Sequence, residues 1–329
     1  MTNAVFAGNG GQASFDHVYG AERIAALKRL AVFDDEVVTE SGFFGHDLSE
    51  TEYVFSTWGM FPFTEEMFAR MPRLKAVFYA AGATDKFAGP FLARGIKVVS
   101  AWRANAVPVA EFTVSQIVLA LKGYFRCLRE TTSPEAWRKP RTAPGVFGET
   151  VALIGSGSIS TLVRKLLGNY RLEVLTVDSL PEKRTVSIEE AFRRAFVVSN
   201  HLFNGENNQN CLKKEHFLSM RPGAVFINTG RGQQLDEPGF IEAMKARPDL
   251  TALLDVTWPE PPEKDSPLYT LPNVFLTPHI AGSINDEVRR MADFVIGDFR
   301  RLLAGEPLEN EVTQEMLSFC PAAARRKCY

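Results

Sequence analysis

The sequence predicts an α/β chain of two doubly wound domains, and three observations carry that reading. Short apolar runs alternate with helix-period segments, the pattern of βαβ units laid around a parallel sheet. One apolar run, VALIGSG at residues 151–157, passes straight into a glycine turn and then a helix. The chain has 329 residues, and domains usually run about 100–200 residues, so two are expected.

Along the chain, residues 53–55, 76–79 and 97–100 read as short strands, with a helical segment at 64–71. From 107 to about 126, VPVAEFTVSQIVLALKGYFR carries helical periodicity, and Pro108 suits its first turn. Residues 133–148, SPEAWRKPRTAPGVFG, hold three prolines and two glycines and read as an irregular connection. Further strands are expected at 150–154, 172–177, 196–200, 224–228, 250–254 and 274–276, with a helix at 161–167 behind the glycine turn. A last helix, 286–303, stops at Gly305, and residues 321–329 form a small, basic, loose tail. The most economical division makes residues 107–291 one doubly wound domain and residues 1–106 with 292–329 the other.

Composition narrows the function. Hydrophobic residues make up 45% and charged residues 23%, enough apolar material for two cores. With 37 basic against 39 acidic residues, no positive surplus exists for phosphate backbones, so no nucleic-acid partner is expected. No uninterrupted apolar run reaches the roughly 18 residues of a membrane helix. The opening MTNAVFAGNGGQASFDHV lacks the basic-then-apolar order of a secretory signal. A cytoplasmic protein with a small-molecule task and no membrane partner is the expectation. Cys127, Cys211, Cys320 and Cys328 are scattered, so neither a disulfide framework nor a metal site is expected.

The glycine turn carries the first chemical signal. Gly155 permits the tight turn, and Gly157 lets the backbone approach a pyrophosphate at the helix N-terminus. Ser160 stands where a third glycine is usual. Asp178 closes the second strand, where its carboxylate would accept hydrogen bonds from ribose hydroxyls and repel a 2′-phosphate. NAD is therefore favoured over NADP, although Lys183 and Arg184 follow close behind.

Polar residues at later strand ends carry the second. FINTGRG puts Arg231 in a tight turn, LLDVTWPEP puts Asp255 at a strand end with Glu260 beyond it, and LTPHIAG puts His279 after another strand. In a doubly wound sheet these ends share the ligand-binding edge. An arginine, a carboxylate and a histidine meeting there can bind a carboxylate substrate and move a proton.

The segments RPGAVFINTGRG and LLDVTWPEPPEKDSPLYTLPNVFLTPHIAG closely resemble the D-isomer-specific 2-hydroxyacid dehydrogenase family, and MPRLKAVFYAAGATDKF and RGIKVVSAWRANAVPVAEFT extend the likeness. The resemblance implies two Rossmann-like domains, an NAD-binding one inserted into a substrate-binding one, with hydride transfer between NAD(H) and a D-2-hydroxy acid/2-keto acid pair. It further implies that Arg231 holds the substrate carboxylate, that His279 is the general acid/base, and that Glu260 hydrogen-bonds to that histidine. Asp255 matches an aspartate near the nicotinamide. Ser158 and Ile159 fall at the pyrophosphate turn, and Thr229 and Gly230 line the pocket. Leu202, Phe203 and Asn208 sit in a loop over the cofactor, and Gly82 and Ala83 resemble the other domain's carboxylate anchor.

Phe203 replaces a usual proline, and His201 reads as a strand-end residue near the cofactor; His17, His46 and His216 are expected at the surface. Trp58, Phe61, Phe63, Trp102 and Arg103 either pack the first domain or line a pocket for a large side chain. Relatives dimerise through the cofactor domain, so a homodimer with residues 121–138 as an interlocking arm is implied. Two other readings stay open: a non-catalytic NAD-sensing corepressor, and a formate-dehydrogenase-like enzyme, whose subfamily carries glutamine where Glu260 stands.

Overall fold

The computed structural model describes residues 2–34, 36–140 and 143–317, which form two compact units. The first holds residues up to 106 together with 283–317, and the second holds residues 107–282. Cys320, Cys328 and the tail 321–329 lie outside the described residues.

In chain order the strands are β1 (Asn3–Phe6), β2 (Val32–Phe33), β3 (Tyr53–Ser56), β4 (Ala76–Tyr79), β5 (Lys97–Ser100) and β6 (Thr150–Ile154). They continue as β7 (Glu173–Val177), β8 (Val197–Asn200), β9 (Val225–Asn228), β10 (Thr251–Leu254), β11 (Val274–Leu276) and β12 (Glu311–Val312). The first unit's sheet has the order β12-β5-β4-β3-β1-β2, parallel throughout except for the antiparallel edge strand β12. The second has the order β11-β10-β9-β8-β6-β7, wholly parallel. Strands such as β3, YVFS, and β9, VFIN, are buried at every position, as a parallel strand covered on both faces must be. Both sheets are doubly wound, as the sequence predicts.

In the first unit, Phe55 stacks on Phe78 with ring centres 5.0 Å apart, and Phe299 meets both edge-on at 5.0 and 5.2 Å. The other face packs Phe43, Phe61, Phe63 and Phe91. In the second unit, Phe192, Phe217, Phe226 and Phe240 fill one face, and Ile117, Leu121, Val163 and Leu167 cover the other.

Four expectations are corrected. Strands β1, β2 and β12 are not among the strands the sequence predicts; β2 and β12 are only two residues long and carry no period. The long helix is Trp102–Leu121, beginning five residues before Val107, so Pro108 lies inside it and Ala104 lacks that amide donor. It ends where Gly123 turns left-handed at φ 70°, which opens the separate helix Tyr124–Glu130. The boundary at 291 moves to 282, because the helix Val288–Ala304 buries Val288 and Met291 in the core that holds Phe55 and Phe78. Among the described residues, Trp102–Leu121 is also the one helix long and apolar enough to cross a membrane. Here it is a core helix, with Ala110, Ile117 and Ala120 packed under the second sheet.

Candidate active site

In the second unit the chain leaves β6 for β7 on one side and returns to β8 on the other, so the C-terminal ends of β6 and β8 flank the crevice of a doubly wound sheet. Gly155 ends β6 with φ 94°, and its N–H donates to Val177 O at 2.8 Å. A Cβ there would lie 2.9 Å from the His201 carbonyl oxygen, so both the backbone angle and the space require glycine. Gly157 differs: its backbone is extended, and nothing lies within 4 Å of where a Cβ would stand. The protein's own packing does not demand glycine at this position. Gly157 caps the helix Ser158–Leu167, whose N-terminus has no side-chain cap. Bare backbone before uncapped N–H groups, including those of Ser158 and Ile159, is a fit for a pyrophosphate. Ser160 is buried where the helix meets the sheet, so a small side chain serves in place of the third glycine.

Asp178 follows β7 and is buried. It accepts hydrogen bonds from the Ser156 hydroxyl and, at 2.7 Å, from Leu180 N–H. Lys183 and Arg184 are exposed in the next turn.

At the end of β8, His201 is buried between the Ser199 hydroxyl (2.9 Å from Nε2) and the Thr229 hydroxyl (3.4 Å from Nδ1). Burial pushes its pKa down to about 4, so it is neutral near pH 7 and is no proton donor there. Leu202 packs into the core, while Phe203 is exposed. Buried Asn208 pins their loop by donating to Phe203 O at 3.1 Å. His216, expected at the surface, is instead buried beside Phe192, and its Nδ1 accepts from Lys213 N–H.

Gln234 organises two turns and escaped the sequence reading. Its amide nitrogen donates to Leu202 O and Phe203 O, and its oxygen accepts from Arg231 N–H at 3.0 Å and from the Asn200 amide at 2.6 Å. The Asn200 amide also donates to Asn228. Gly230 has no room for a Cβ against Asn200 and Gln234, and a Cβ on Gly232 would lie 2.0 Å from the Thr257 backbone. Polar residues one strand apart carry no period, so only the glycines of NTGRG hinted at this crowding.

Arg231 follows β9, half-buried, with Nη1 donating to Gly230 O at 2.8 Å. Asp255, after β10, is buried and accepts from Thr277 Oγ1 (2.6 Å), Ile280 N–H and Ala281 N–H (both 2.9 Å). Its carboxylate thus holds the turn that carries His279. His279 itself has φ 54°, left-handed for a residue with a side chain, and its N–H donates to Asp255 O at 3.0 Å. This backbone aims Nδ1 at Glu260 Oε1, 2.5 Å away. Arg231, Asp255 and His279 follow three adjacent strands, β9, β10 and β11, at one sheet edge. Among the described residues no cluster of metal ligands occurs. A cavity of about 250 Å³ opens at the opposite edge, lined by Arg126 and Arg129 of the helix Tyr124–Glu130 and by Phe196, Gly223 and Thr251, which precede or begin their strands.

In the first unit, Gly82 follows β4 with its carbonyl accepting from the Ser100 hydroxyl, and Ala83 is exposed. Phe61 and Phe63 are core residues, which settles them as packing. Trp58 is exposed. Trp102 buries an indole N–H without a partner, and the Arg103 guanidinium lies 4.8 Å from its ring.

The sequence model described as D-isomer specific 2-hydroxyacid dehydrogenase, NAD binding domain, matches residues 115–281, just over half of the chain. The chain is 27% identical over 259 residues to a D-3-phosphoglycerate dehydrogenase of Methanocaldococcus jannaschii, covering 76% of this chain and 49% of that protein. It is 28% identical over 274 residues to a glyoxylate reductase of Korarchaeum cryptofilum, covering 79% of this chain and 82% of that protein. The chain thus spans about half the length of the phosphoglycerate dehydrogenases it matches. Among solved structures, a phosphoglycerate oxidoreductase from Rhizobium etli shares the fold with a TM-score of 0.76 at 23% identity, over 96% of this chain and 100% of that one.

Proposed function

The chain belongs to the D-isomer specific 2-hydroxyacid dehydrogenase family, and from that premise we propose that it interconverts a D-2-hydroxy acid and its 2-keto acid with NAD(H). The observation that carries this reading is the Glu260–His279 hydrogen bond of 2.5 Å at the sheet edge that also carries Arg231 and the glycine turn. With Nδ1 committed to Glu260, Nε2 is the nitrogen left to give a proton to the substrate oxygen or take one from it. Arg231 offers a planar, two-pronged donor to the substrate carboxylate and draws charge toward the carbonyl oxygen. The nicotinamide, when bound, supplies or accepts the hydride. Asp178 takes the ribose, Thr229 and Gly230 flank the nicotinamide side, and Leu202, Phe203 and Asn208 form the cofactor loop. Gly82 and Ala83 are the first unit's candidates for the substrate carboxylate.

A panel of 2-keto acids, followed by loss of NADH absorbance, tests the activity. Turnover of at least one acid is expected; dinucleotide binding without turnover of any would favour the NAD-sensing corepressor reading.

The reading extends to a homodimer through the cofactor domain. Its support is a run of exposed apolar side chains, Leu119, Tyr124, Leu128, Trp137 and Phe147, around the arm at 121–138. Sedimentation at micromolar concentration should give twice the chain mass, and a monomer would remove this part of the proposal.

A further inference from the structure

Ser156 lies inside the glycine turn, between Gly155 and Gly157, yet its hydroxyl reaches across to the end of β7 and donates to Oδ2 of Asp178. The other carboxylate oxygen, Oδ1, accepts from Leu180 N–H at 2.7 Å. Asp178 is therefore tethered at both oxygens and only 8% exposed. A carboxylate offers about four acceptor sites. With one taken on each oxygen, one on each remains, which is the complement of two neighbouring ribose hydroxyls. A 2′-phosphate offers no donor to that pair and brings like charge against it.

From this geometry we propose that Ser156 is a positioning residue for cofactor choice, fixing the Asp178 carboxylate across the glycine turn so that it meets a ribose diol and cannot swing aside for a 2′-phosphate. The proposal rests on the dinucleotide reading of the glycine turn. Without the hydroxyl, the carboxylate keeps one tether and can rotate about its side-chain bonds. The exposed Lys183 and Arg184, in the turn directly after it, then meet an incoming phosphate with less opposing charge.

The test compares dissociation constants for NADH and NADPH, read from the fluorescence of the reduced cofactor, in the wild type and in Ser156→Ala, Ser156→Thr and Asp178→Ala. Wild type should favour NADH, and Asp178→Ala should lose that preference. Ser156→Ala should narrow it by about threefold to tenfold, the net worth of one hydrogen bond. Ser156→Thr keeps a hydroxyl on the same carbon and should restore it. An unchanged or widened preference in Ser156→Ala, or no rescue by threonine, overturns the proposal while the ribose role of Asp178 stands. A wild type that binds both cofactors equally overturns Ser156 and Asp178 together and leaves dinucleotide binding intact. Binding of neither cofactor overturns the dinucleotide reading itself.

Discussion

His279→Ala is expected to lower kcat for keto-acid reduction by about 10²–10⁴-fold, the usual contribution of a positioned general acid. The loss should leave the affinity for NADH nearly unchanged, because the turn is held by Asp255 through backbone donors that the substitution keeps. Alanine is less at home than histidine at φ 54°, so His279→Asn, which tolerates the left-handed region, is the companion variant. Equal losses in both variants assign the effect to the missing imidazole. Near-wild-type turnover in both would remove His279 from the chemistry. His201 could not replace it, since burial holds that ring neutral.

Arg231→Lys is expected to lower kcat/KM for the keto acid by about tenfold to a hundredfold, the range for lost hydrogen bonds to a charged group. Lysine keeps the charge but not the fork. The backbone of residue 231 is fixed independently, by Gln234 Oε1 on its N–H, so the turn should survive the change. Stability, read as Tm, should therefore stay within a few degrees of wild type. Wild-type kinetics in the lysine variant would take the guanidinium out of substrate recognition.

The sequence made the sheet-edge constellation legible because each candidate stands directly after a run of apolar residues, and strand ends in a doubly wound sheet converge. The same logic placed Gly155, whose need for glycine is enforced by the His201 carbonyl. What stayed hidden depends on residues meeting across strands. Gln234 and Asn200 look like ordinary polar residues until the fold brings them within 2.6 Å. Asp255 was legible as a site residue but not as the anchor of the His279 turn, because its donors Thr277, Ile280 and Ala281 lie in the turn that follows another strand. The displaced domain boundary has a similar origin. Nothing local in the sequence moves Val288 and Met291 out of the domain read as 107–291; only the aromatic core of Phe55, Phe78 and Phe299 assigns both to the first unit.

That core also sets an order of events on the ribosome. The second unit is one uninterrupted stretch, residues 107–282, and is complete before Val288 leaves the exit tunnel. The first unit, although its strands β1–β5 are synthesised before the second, lacks the helix Val288–Ala304 and the edge strand β12 until the second has been made. Until then Phe55 and Phe78 have no Phe299 to cover them, and β5 presents an open edge. Of the two units, the one whose strands are made first is thus the last to finish folding, and it stays open to chaperones and to aggregation throughout the synthesis of its neighbour.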